Sequence, residues 1–376
     1  MGGRPAEPGA SPSCYLSVRP VGVKHRRLVA GVLGSLALFL EAPETVSGAT
    51  GTAPPVAPEA PAALAVGPSG ALYLVDRQRE QILRYSQGKG FAVVAGNGIG
   101  GISPDGTPAL RAHLSLSWYT GLVVSRHGTA YFTEGSRVRE IEPHGVLGTV
   151  AGGGTIALKR TPVPAREAAL DGPAGLTFGP GGELYIGTSN GVYRLGPEGR
   201  LYWVVGEPYP ESRLPPHWGG VFSNPAVQND FTYAVHLAFD SRGDLFVAGG
   251  GGLYGLYEKT SSGALRFVEN LRGQGGLTGS LASAPDGTVV SASNRGLQRL
   301  RPDRVPGTVQ ARWPSSCGPH HVPFSPLFGV GVAIGPAGQV YVDTDAGDAV
   351  PDQGLLEVLP DGRVAWLWAQ TGGCPT

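Results

Sequence analysis

The feature that most constrains this chain is a sequence motif of 13 residues that occurs six times. Each copy combines an apolar strand, a turn that ends in glycine, and a second apolar strand. The copies are LAVGPSGALYLVD (64–76), LVVSRHGTAYFTE (122–134), LTFGPGGELYIGT (176–188), LAFDSRGDLFVAG (237–249), LASAPDGTVVSAS (281–293) and VAIGPAGQVYVDT (332–344). The turn glycines, which we expect to adopt positive φ in tight hairpins, are Gly70, Gly128, Gly182, Gly243, Gly287 and Gly338. They are 58, 54, 61, 44 and 51 residues apart.

In the sequence, a third and a fourth apolar strand follow the repeated motif. The third strands include ILRY (82–85), VREI (138–141), VYRL (192–195) and LQRL (297–300). The fourth strands include FAVVAG (91–96), LGTVAG (147–152), LYWVVG (201–206) and VAWLWA (364–369). Four antiparallel strands repeated six times at this period predict an all-β fold, a six-bladed β-propeller of four-stranded antiparallel blades. A β-sandwich would not repeat its sequence six times.

Composition agrees with a folded, repetitive β protein and excludes some functions. Gly (61) and Pro (34) are abundant, but the glycines recur with the repeat, and hydrophobic residues at 41% supply a core. Charged residues make up only 15%, which argues against a helical solenoid or coiled coil. Lys and Arg (29) balance Asp and Glu (29), so a nucleic-acid partner held by phosphate neutralisation is not expected.

The amino end has the pattern of a secretory signal. Basic residues 24–27 precede an apolar run of 13 residues at 28–40. Ser47 and Ala49 then have the A-x-A-like spacing of small residues at a signal-peptide cleavage site. Thirteen residues are too few to cross a bilayer of about 30 Å as a helix. We predict a signal region at 1–49 with a long amino-terminal part, cleavage near Ala49, a Pro-rich linker at 50–62 and the propeller at 63–376. The mature chain would then be secreted or on the cell-envelope exterior with no transmembrane helix; an uncleaved signal anchor is the alternative.

The cysteines fit an exported chain. Cys14 falls in the signal region, which leaves Cys317 and Cys374. Two cysteines in an exported protein are more often a disulfide than a catalytic pair. We therefore predict a Cys317–Cys374 disulfide.

Two segments between blades carry a family resemblance. Residues 95–123, AGNGIGGISPDGTPALRAHLSLSWYTGLV, and residues 151–177, which include AREAALDGPAGLT, resemble the linkers between blades of NHL-repeat propellers. The resemblance covers about 63–370 and is strongest in the first three blades; in the last three the third-strand motif is eroded and loops are inserted. It implies the binding of proteins or other ligands. A minority of related six-bladed propellers are lactonases or an amidating lyase, so the fold does not settle the function.

Unusual insertions concentrate on one face of the predicted disc. In an antiparallel blade, the connection from strand 4 to the next strand 1 and the turn from strand 2 to strand 3 lie on the same face, which we call the long-loop face. Loops on a rigid scaffold often carry function, and aromatic residues favour partner contact. The alternative is that the aromatics only plug the channel mouth. The candidate binding residues are Trp118, Tyr119, His217, Trp218, Phe222, His320 and His321.

One position near the propeller axis carries an unexpected side chain. Aligning the first strands places six residues in register at the entrance of the innermost strand: Ala63, Gly121, Gly175, His236, Ser280 and Gly331. Five are small, as crowding near the axis requires. A neutral imidazole could act as a general base or metal ligand, so His236 is the catalytic candidate. A structural histidine with satisfied hydrogen bonds is the alternative.

Three acidic residues are predicted to lie in one loop at the end of the last copy of the repeat. Asp343, Asp345 and Asp348 offer oxygen ligands of the kind that Ca²⁺ prefers. The segment lacks the glycine and the terminal glutamate of an EF-hand, and solvated carboxylates are the alternative. We expect no other cofactor.

Two classes of function remain at this point. The favoured one is an exported binding or sensing module whose long-loop face takes a protein or another extracellular ligand. The other is a hydrolase or lyase, lactonase-like or amidating-lyase-like, with a site at the channel mouth around His236.

Overall fold

The structure of the protein is a computed structural model, and it describes seven stretches of the chain. These are 57–206 except 143, 234–249, 255–270, 280–300 except 285, 294 and 295, 306–308, 331–343, and 354–369. The contacts divide the chain into Met1–Thr52 and Ala53–Thr376, and every described residue belongs to the second unit.

The described residues form six antiparallel sheets, each a blade whose strands pair in chain order. Blade 1 contains β1 (Pro61–Val66), β2 (Leu72–Asp76), β3 (Gln81–Ser86) and β4 (Gly90–Ala95). Blade 2 contains β5 (Leu122–Val124), β6 (Ala130–Glu134), β7 (Arg137–Ile141) and β8 (Leu147–Gly152). Between blades 2 and 3 come β9 (Ile156–Ala157), β10 (Val163–Pro164) and β11 (Ala168–Ala169). Blade 3 contains β12 (Leu176–Phe178), β13 (Leu184–Thr188), β14 (Gly191–Leu195) and β15 (Arg200–Gly206).

The second half of the molecule repeats the same arrangement. Blade 4 contains β16 (Ala234–Phe239), β17 (Leu245–Gly249), β18 (Gly255–Lys259) and β19 (Leu265–Asn270). Blade 5 contains β20 (Ser280–Ser283), β21 (Val289–Ser293), β22 (Gly296–Leu300) and β23 (Pro306–Thr308). Blade 6 contains β24 (Val332–Ile334), β25 (Val340–Asp343), β26 (Gly354–Val358) and β27 (Val364–Ala369). The six-bladed, all-β propeller predicted from the repeats is confirmed.

Short elements complete the architecture. Strand β10 adds a fifth strand to blade 3 by pairing with β15, and β9 pairs with β11 in parallel. Two 3₁₀ turns, Ala109–Arg111 and Ala165–Glu167, lie in the connections before blades 2 and 3. No α-helix occurs among the described residues.

The hairpin glycines behave as the repeats predict. All six turn glycines have positive φ between 77° and 87°, a region that favours glycine. The same local geometry therefore closes the first hairpin of every blade. This is why the glycine spacing follows the blades.

The first strand of each blade lies innermost, and these strands form a closed ring. Around it β1 contacts β5, β5 contacts β12, and the contacts continue through β16, β20 and β24 back to β1. The strands approach closely: a Cβ added to Gly121 would lie 1.8 Å from the carbonyl oxygen of Ala174, and one added to Gly331 would lie 3.1 Å from Leu64. The small residues at the strand entrances are therefore a requirement of ring closure.

The first strand of the propeller begins slightly earlier than its predicted start at residue 63. Strand β1 starts at Pro61, whereas the linker was expected to run to residue 62. Pro61 is the first residue of the strand and pairs with Asp76, followed by a bulge before Leu64. A proline is tolerated at the first position of a strand, because its missing N–H is not needed there. The carboxylate of Asp76 accepts hydrogen bonds from the backbone N–H groups of Glu59 and Ala60, which fixes the entry into the strand.

The connections into blades 2 and 3 repeat each other in conformation as well as in sequence. Pro108 and Pro164 precede the two 3₁₀ turns with nearly the same backbone angles (φ −55°, ψ 125° and φ −58°, ψ 126°). Each turn buries its first alanine, Ala109 or Ala165, and the connections then bury Leu114 and Leu170. The repeating unit therefore includes the connection as well as the four strands.

A buried ionic cluster ties these connections to blade 2; we call it the blade 2 cluster, formed by Asp105, Glu134, Arg139, Thr149 and Arg166. Glu134 and Arg139 are almost fully buried and form an ion pair of 2.8 Å. Nη2 of Arg139 lies 3.4 Å from Asp105, whose carboxylate also accepts a hydrogen bond from the Thr149 hydroxyl and pairs with Arg166. One carboxylate from the first connection thus joins blade 2 to the second connection.

Candidate functional site

A cavity of about 320 Å³ lies within the ring of inner strands. Residues from all six blades line it, together with Trp118 and Tyr119 from the connection between β4 and β5. Because the inner strands begin on the long-loop face and this connection lies there too, the cavity is at that end of the channel.

Two successive registers of the inner strands build the cavity wall. The entrance register contributes Ala63, Gly121, Gly175, His236 and Ser280. The next residue of each strand contributes a ring of branched apolar side chains, one from every blade: Leu64, Leu122, Leu176, Leu237, Leu281 and Val332. All six are buried. The cavity is therefore mainly apolar. Its polar side chains are His236 and Ser280 at the entrance register and Trp118, Tyr119 and Thr120 in the connection just before it.

Trp118 and Tyr119 form an aromatic rim, with 40% and 57% of their surface exposed. The connection is held beneath them: the N–H of Ser117 donates to the Thr120 hydroxyl, and the N–H of Gly121 donates to the Thr133 hydroxyl. Of the predicted aromatic binding residues, these two therefore lie at the cavity.

A cation stacks on the aromatic rim. The guanidinium carbon of Arg77, in the turn between β2 and β3, lies 3.5 Å from the centroid of the Trp118 ring. Nε of Arg77 is buried and makes no hydrogen bond within the described structure. The stacking holds Trp118 against blade 1 by a cation–π contact. Sequence reasoning did not select Arg77, because a lone arginine in a turn carries no signal for a contact with a residue 41 positions away.

His236 lies in the wall of the cavity, half-buried, on β16. A bulge between Ala234 and His236 interrupts the pairing with β17, and such bulges re-aim side chains. The imidazole is packed among the inner strands, and the desolvation that comes with this burial lowers the pKa of His236 from 6.5 to about 4. The ring is therefore neutral at pH 7, with one nitrogen able to donate and the other able to accept a hydrogen bond.

Ser280 shares the wall with His236. The two residues lie on β20 and β16, which are neighbours in the ring of inner strands. In the register alignment Ser280 is one of the five small residues, and the alignment already places it beside His236. Its size alone does not distinguish its hydroxyl as a ligand contact.

Most of the other predicted site residues lie outside the described residues. These are His217, Trp218, Phe222, His320, His321, Asp345, Asp348, Cys317 and Cys374. The structure therefore tests neither the disulfide nor the greater part of the aromatic set.

Asp343 does not lie in a loop, as the acidic-loop interpretation required. It is the last residue of β25, is fully buried, and donates its backbone N–H to the carbonyl of Gly331. It occupies the same place in its blade as Asp76 and Glu134, at the end of the second strand. No group of three or more His, Cys, Asp or Glu residues in the described ranges is arranged to hold a metal ion.

No helix in the described ranges is long and apolar enough to cross a membrane.

Comparison with known proteins gives partial sequence matches. No family model matches the chain. Human Teneurin-1 is 26% identical over 203 residues, which is 49% of this chain and 7% of Teneurin-1. Teneurin-m from Drosophila melanogaster is 27% identical over 157 residues, which is 37% of this chain and 6% of that protein. The chain thus spans only a small part of the curated relatives it matches.

Solved structures of two enzymes resemble the chain in outline. Virginiamycin B lyase from Staphylococcus aureus is 12% identical, with a TM-score of 0.48, covering 83% of this chain and 85% of the lyase. A gluconolactonase from Xanthomonas campestris is 11% identical, with a TM-score of 0.43, covering 85% and 90%. With identities below 25% and TM-scores below 0.5, these likenesses say nothing about what this chain binds or catalyses.

Proposed function

We propose that the protein is an exported binding or sensing module of the NHL-repeat type, and that its ligand occupies the central cavity at the long-loop face. The observation that carries this proposal is the cavity itself. It is concave, mainly apolar, rimmed by two exposed aromatic residues and supplied with a small number of polar groups. This is the composition of small-molecule sites, and about 320 Å³ is at the lower end of their usual volume.

Two parts of this proposal, the NHL-repeat assignment and export, rest on the sequence. The NHL assignment is supported by the two connections that share sequence and conformation before blades 2 and 3. Export is supported by the basic and apolar pattern within residues 24–49. Mass spectrometry of the extracellular product tests export: an amino terminus near Thr50 supports it, and an intact 28–40 segment in a membrane-bound product contradicts it.

The binding site is tested by filling the cavity. The neutral fluorescent probe N-phenyl-1-naphthylamine should bind the full chain with a stoichiometry of one. Ala63→Phe places a ring in the cavity and should abolish binding. Ala92→Phe, on the exposed side of β4, is the matched control and should leave binding unchanged. Retained binding in Ala63→Phe with an unchanged melting temperature would contradict the proposed site.

The alternative, a hydrolase or lyase that uses His236 as general base, has one observation in its favour: the imidazole faces the cavity and is neutral. Its basicity counts against it, because a general base works best with a pKa near the operating pH, and that of His236 is lowered to about 4. Turnover of ester or lactone substrates that is lost in His236→Gln, with unchanged stability, would establish the enzyme.

A further inference from the structure

At the entrance register, the polarity of the cavity wall is one-sided. At the entrance register, blades 1, 2, 3 and 6 contribute alanine or glycine, whereas the adjacent blades 4 and 5 contribute His236 and Ser280. Because β16 and β20 are neighbours in the ring, the two polar side chains lie on the same side of the cavity. We call this side the polar side.

The hydrogen-bonding groups of the polar side are not used by the protein. Neither the imidazole of His236 nor the hydroxyl of Ser280 has a hydrogen-bond partner in the described structure, and neither is sealed from the cavity. Thr120, in the same lining, differs because its hydroxyl already accepts the N–H of Ser117. Buried polar groups are generally paired. Two unpaired ones that share a cavity wall are available to a ligand.

The lining that the structure describes offers no charged side chain to a ligand. No described residue of its lining is an Asp, Glu, Lys or Arg. Arg77, whose guanidinium stacks on Trp118, is not part of the lining. A formal charge that entered this apolar space would lose its hydration without gaining an ion pair.

From this arrangement we infer that the ligand is an uncharged molecule with an apolar body and one neutral hydrogen-bonding group, such as an amide or a hydroxyl, which His236 and Ser280 recognise. The inference rests on the proposed binding function and specifies its ligand class. The apolar body contacts the ring of branched side chains, and Trp118 and Tyr119 cover it at the rim. A neutral imidazole and a hydroxyl each donate and accept, so together they can satisfy both ends of an amide.

Three compounds with the same body test the inference. They are 3-phenylpropanamide, 3-phenylpropanoate and propylbenzene, each used to displace N-phenyl-1-naphthylamine from the full chain. We expect the amide to displace the probe about threefold to tenfold more effectively than the hydrocarbon, because it gains hydrogen bonds. The carboxylate should be the weakest of the three at pH 7.

Variants of the polar side identify the groups responsible. His236→Phe and Ser280→Ala should each reduce the advantage of the amide over the hydrocarbon, and His236→Gln should retain it because glutamine also donates and accepts. His127→Phe, a matched change at an exposed turn, is the control and should have no effect.

The outcomes separate the inference from the proposed function. If the probe binds and the carboxylate competes best, or if amide and hydrocarbon compete equally, the ligand class is wrong and the binding site stands. If the amide keeps its advantage in both His236→Phe and Ser280→Ala, the polar side is not the recognition element. If the probe does not bind at all, the proposed function and the inference both fail.

Discussion

The blade 2 cluster and the central cavity are two places where polar side chains lie inside the same propeller, and they are built in opposite ways. In the cluster, Arg139 donates to Glu134, to the carbonyl of Ser103 and to the carbonyl of Gly148. Glu134 in turn accepts the N–H of Ser115. In the cavity, His236 and Ser280 make no hydrogen bond that the structure shows. Most hydrogen-bonding groups of the cluster are used within the protein, and Nη2 of Arg139, which makes no hydrogen bond, lies 3.4 Å from the carboxylate of Asp105. The two cavity side chains have no protein partner in the described structure.

This difference distinguishes polar groups that stabilise the fold from polar groups that are available to a ligand. The cluster joins two connections to a blade, so most of its hydrogen-bonding groups are used by the fold. The cavity has two groups whose hydrogen-bonding capacity is left over, at a position where the other blades have only alanine or glycine. Charge alone points to the cluster as the site. Side chains that lack a protein partner and also line a cavity point to His236 and Ser280 instead.

The largest effect should come from breaking the cluster. Arg139→Leu leaves the carboxylate of Glu134 buried without its cation, and burial already raises the pKa of that carboxyl group. Removing one partner of a buried pair costs about 3–5 kcal/mol in the free energy of unfolding. Arg166→Leu removes the exposed partner of Asp105 and should cost less than about 1 kcal/mol. Urea unfolding of both variants measures the contrast, and equal losses would show that the cluster is not the structural element described here.

The next largest effect should be a pH dependence of stability that comes from His236 in the cavity wall. The folded-state pKa of His236 is about 4, below the ordinary 6.5, so the unfolded chain binds the proton more strongly. The free energy of unfolding therefore decreases as the pH falls from 6.5 towards 4, because the unfolded chain takes up the proton first. At pH 4.5 this loss should be roughly 2–3 kcal/mol relative to pH 7. His236→Gln should lose less stability over this range. Unfolding free energies at pH 7 and pH 4.5 decide it; parallel losses in both proteins would place the imidazole in water.

A smaller effect is expected at the rim. Arg77→Ala removes the cation that stacks on Trp118 and should lower the free energy of unfolding by about 1 kcal/mol. Trp118 should also become more exposed, which a red shift of its emission would report against a Trp118→Phe reference. Arg84→Ala, on the exposed side of β3, is the control and should leave both quantities unchanged. Identical spectra for the two variants would argue against the stacking.

The smallest effect should be at Ser280. Ser280→Ala removes a hydroxyl that has no protein partner in the described structure, so stability should change by less than about 0.5 kcal/mol. Thr133→Val is the contrasting change, because the Thr133 hydroxyl accepts the N–H of Gly121 in a buried site. That loss should cost about 1 kcal/mol or more. A large cost at Ser280 would mean that its hydroxyl is consumed by the fold.

Much of the fold was accessible from the sequence because its determinants are local and repeated. A tight hairpin needs a residue with positive φ, so Gly70 and its five equivalents marked the blades directly. The register of the inner strands followed from the same alignment, and it placed His236 among small residues at the axis. Gly121 shows the physical reason for their size, since a side chain there would collide with the backbone of the next blade.

What the sequence did not provide depends on contacts between distant residues. The stacking of Arg77 on Trp118 and the pairing of Arg139 with Asp105 join separate connections, and neither residue type nor spacing announces them. Asp343 looked like a loop acid because acidic residues follow it, yet the strand extends through it and buries it. Ser280 was small enough to satisfy the packing rule, so its chemistry was overlooked.

The way the ring closes has a mechanical consequence. Among the described strands, every blade is made of consecutive segments, and none pairs across the seam between β1 and β24. In the part of the chain that the structure describes, side chains bridge this seam: Leu64, Leu72 and Leu74 pack with Ala333 and Tyr341. A load applied between the first and last blades would therefore meet no backbone ladder at the seam. Under such a load the ring should open between blades 1 and 6 before the strands within any blade separate.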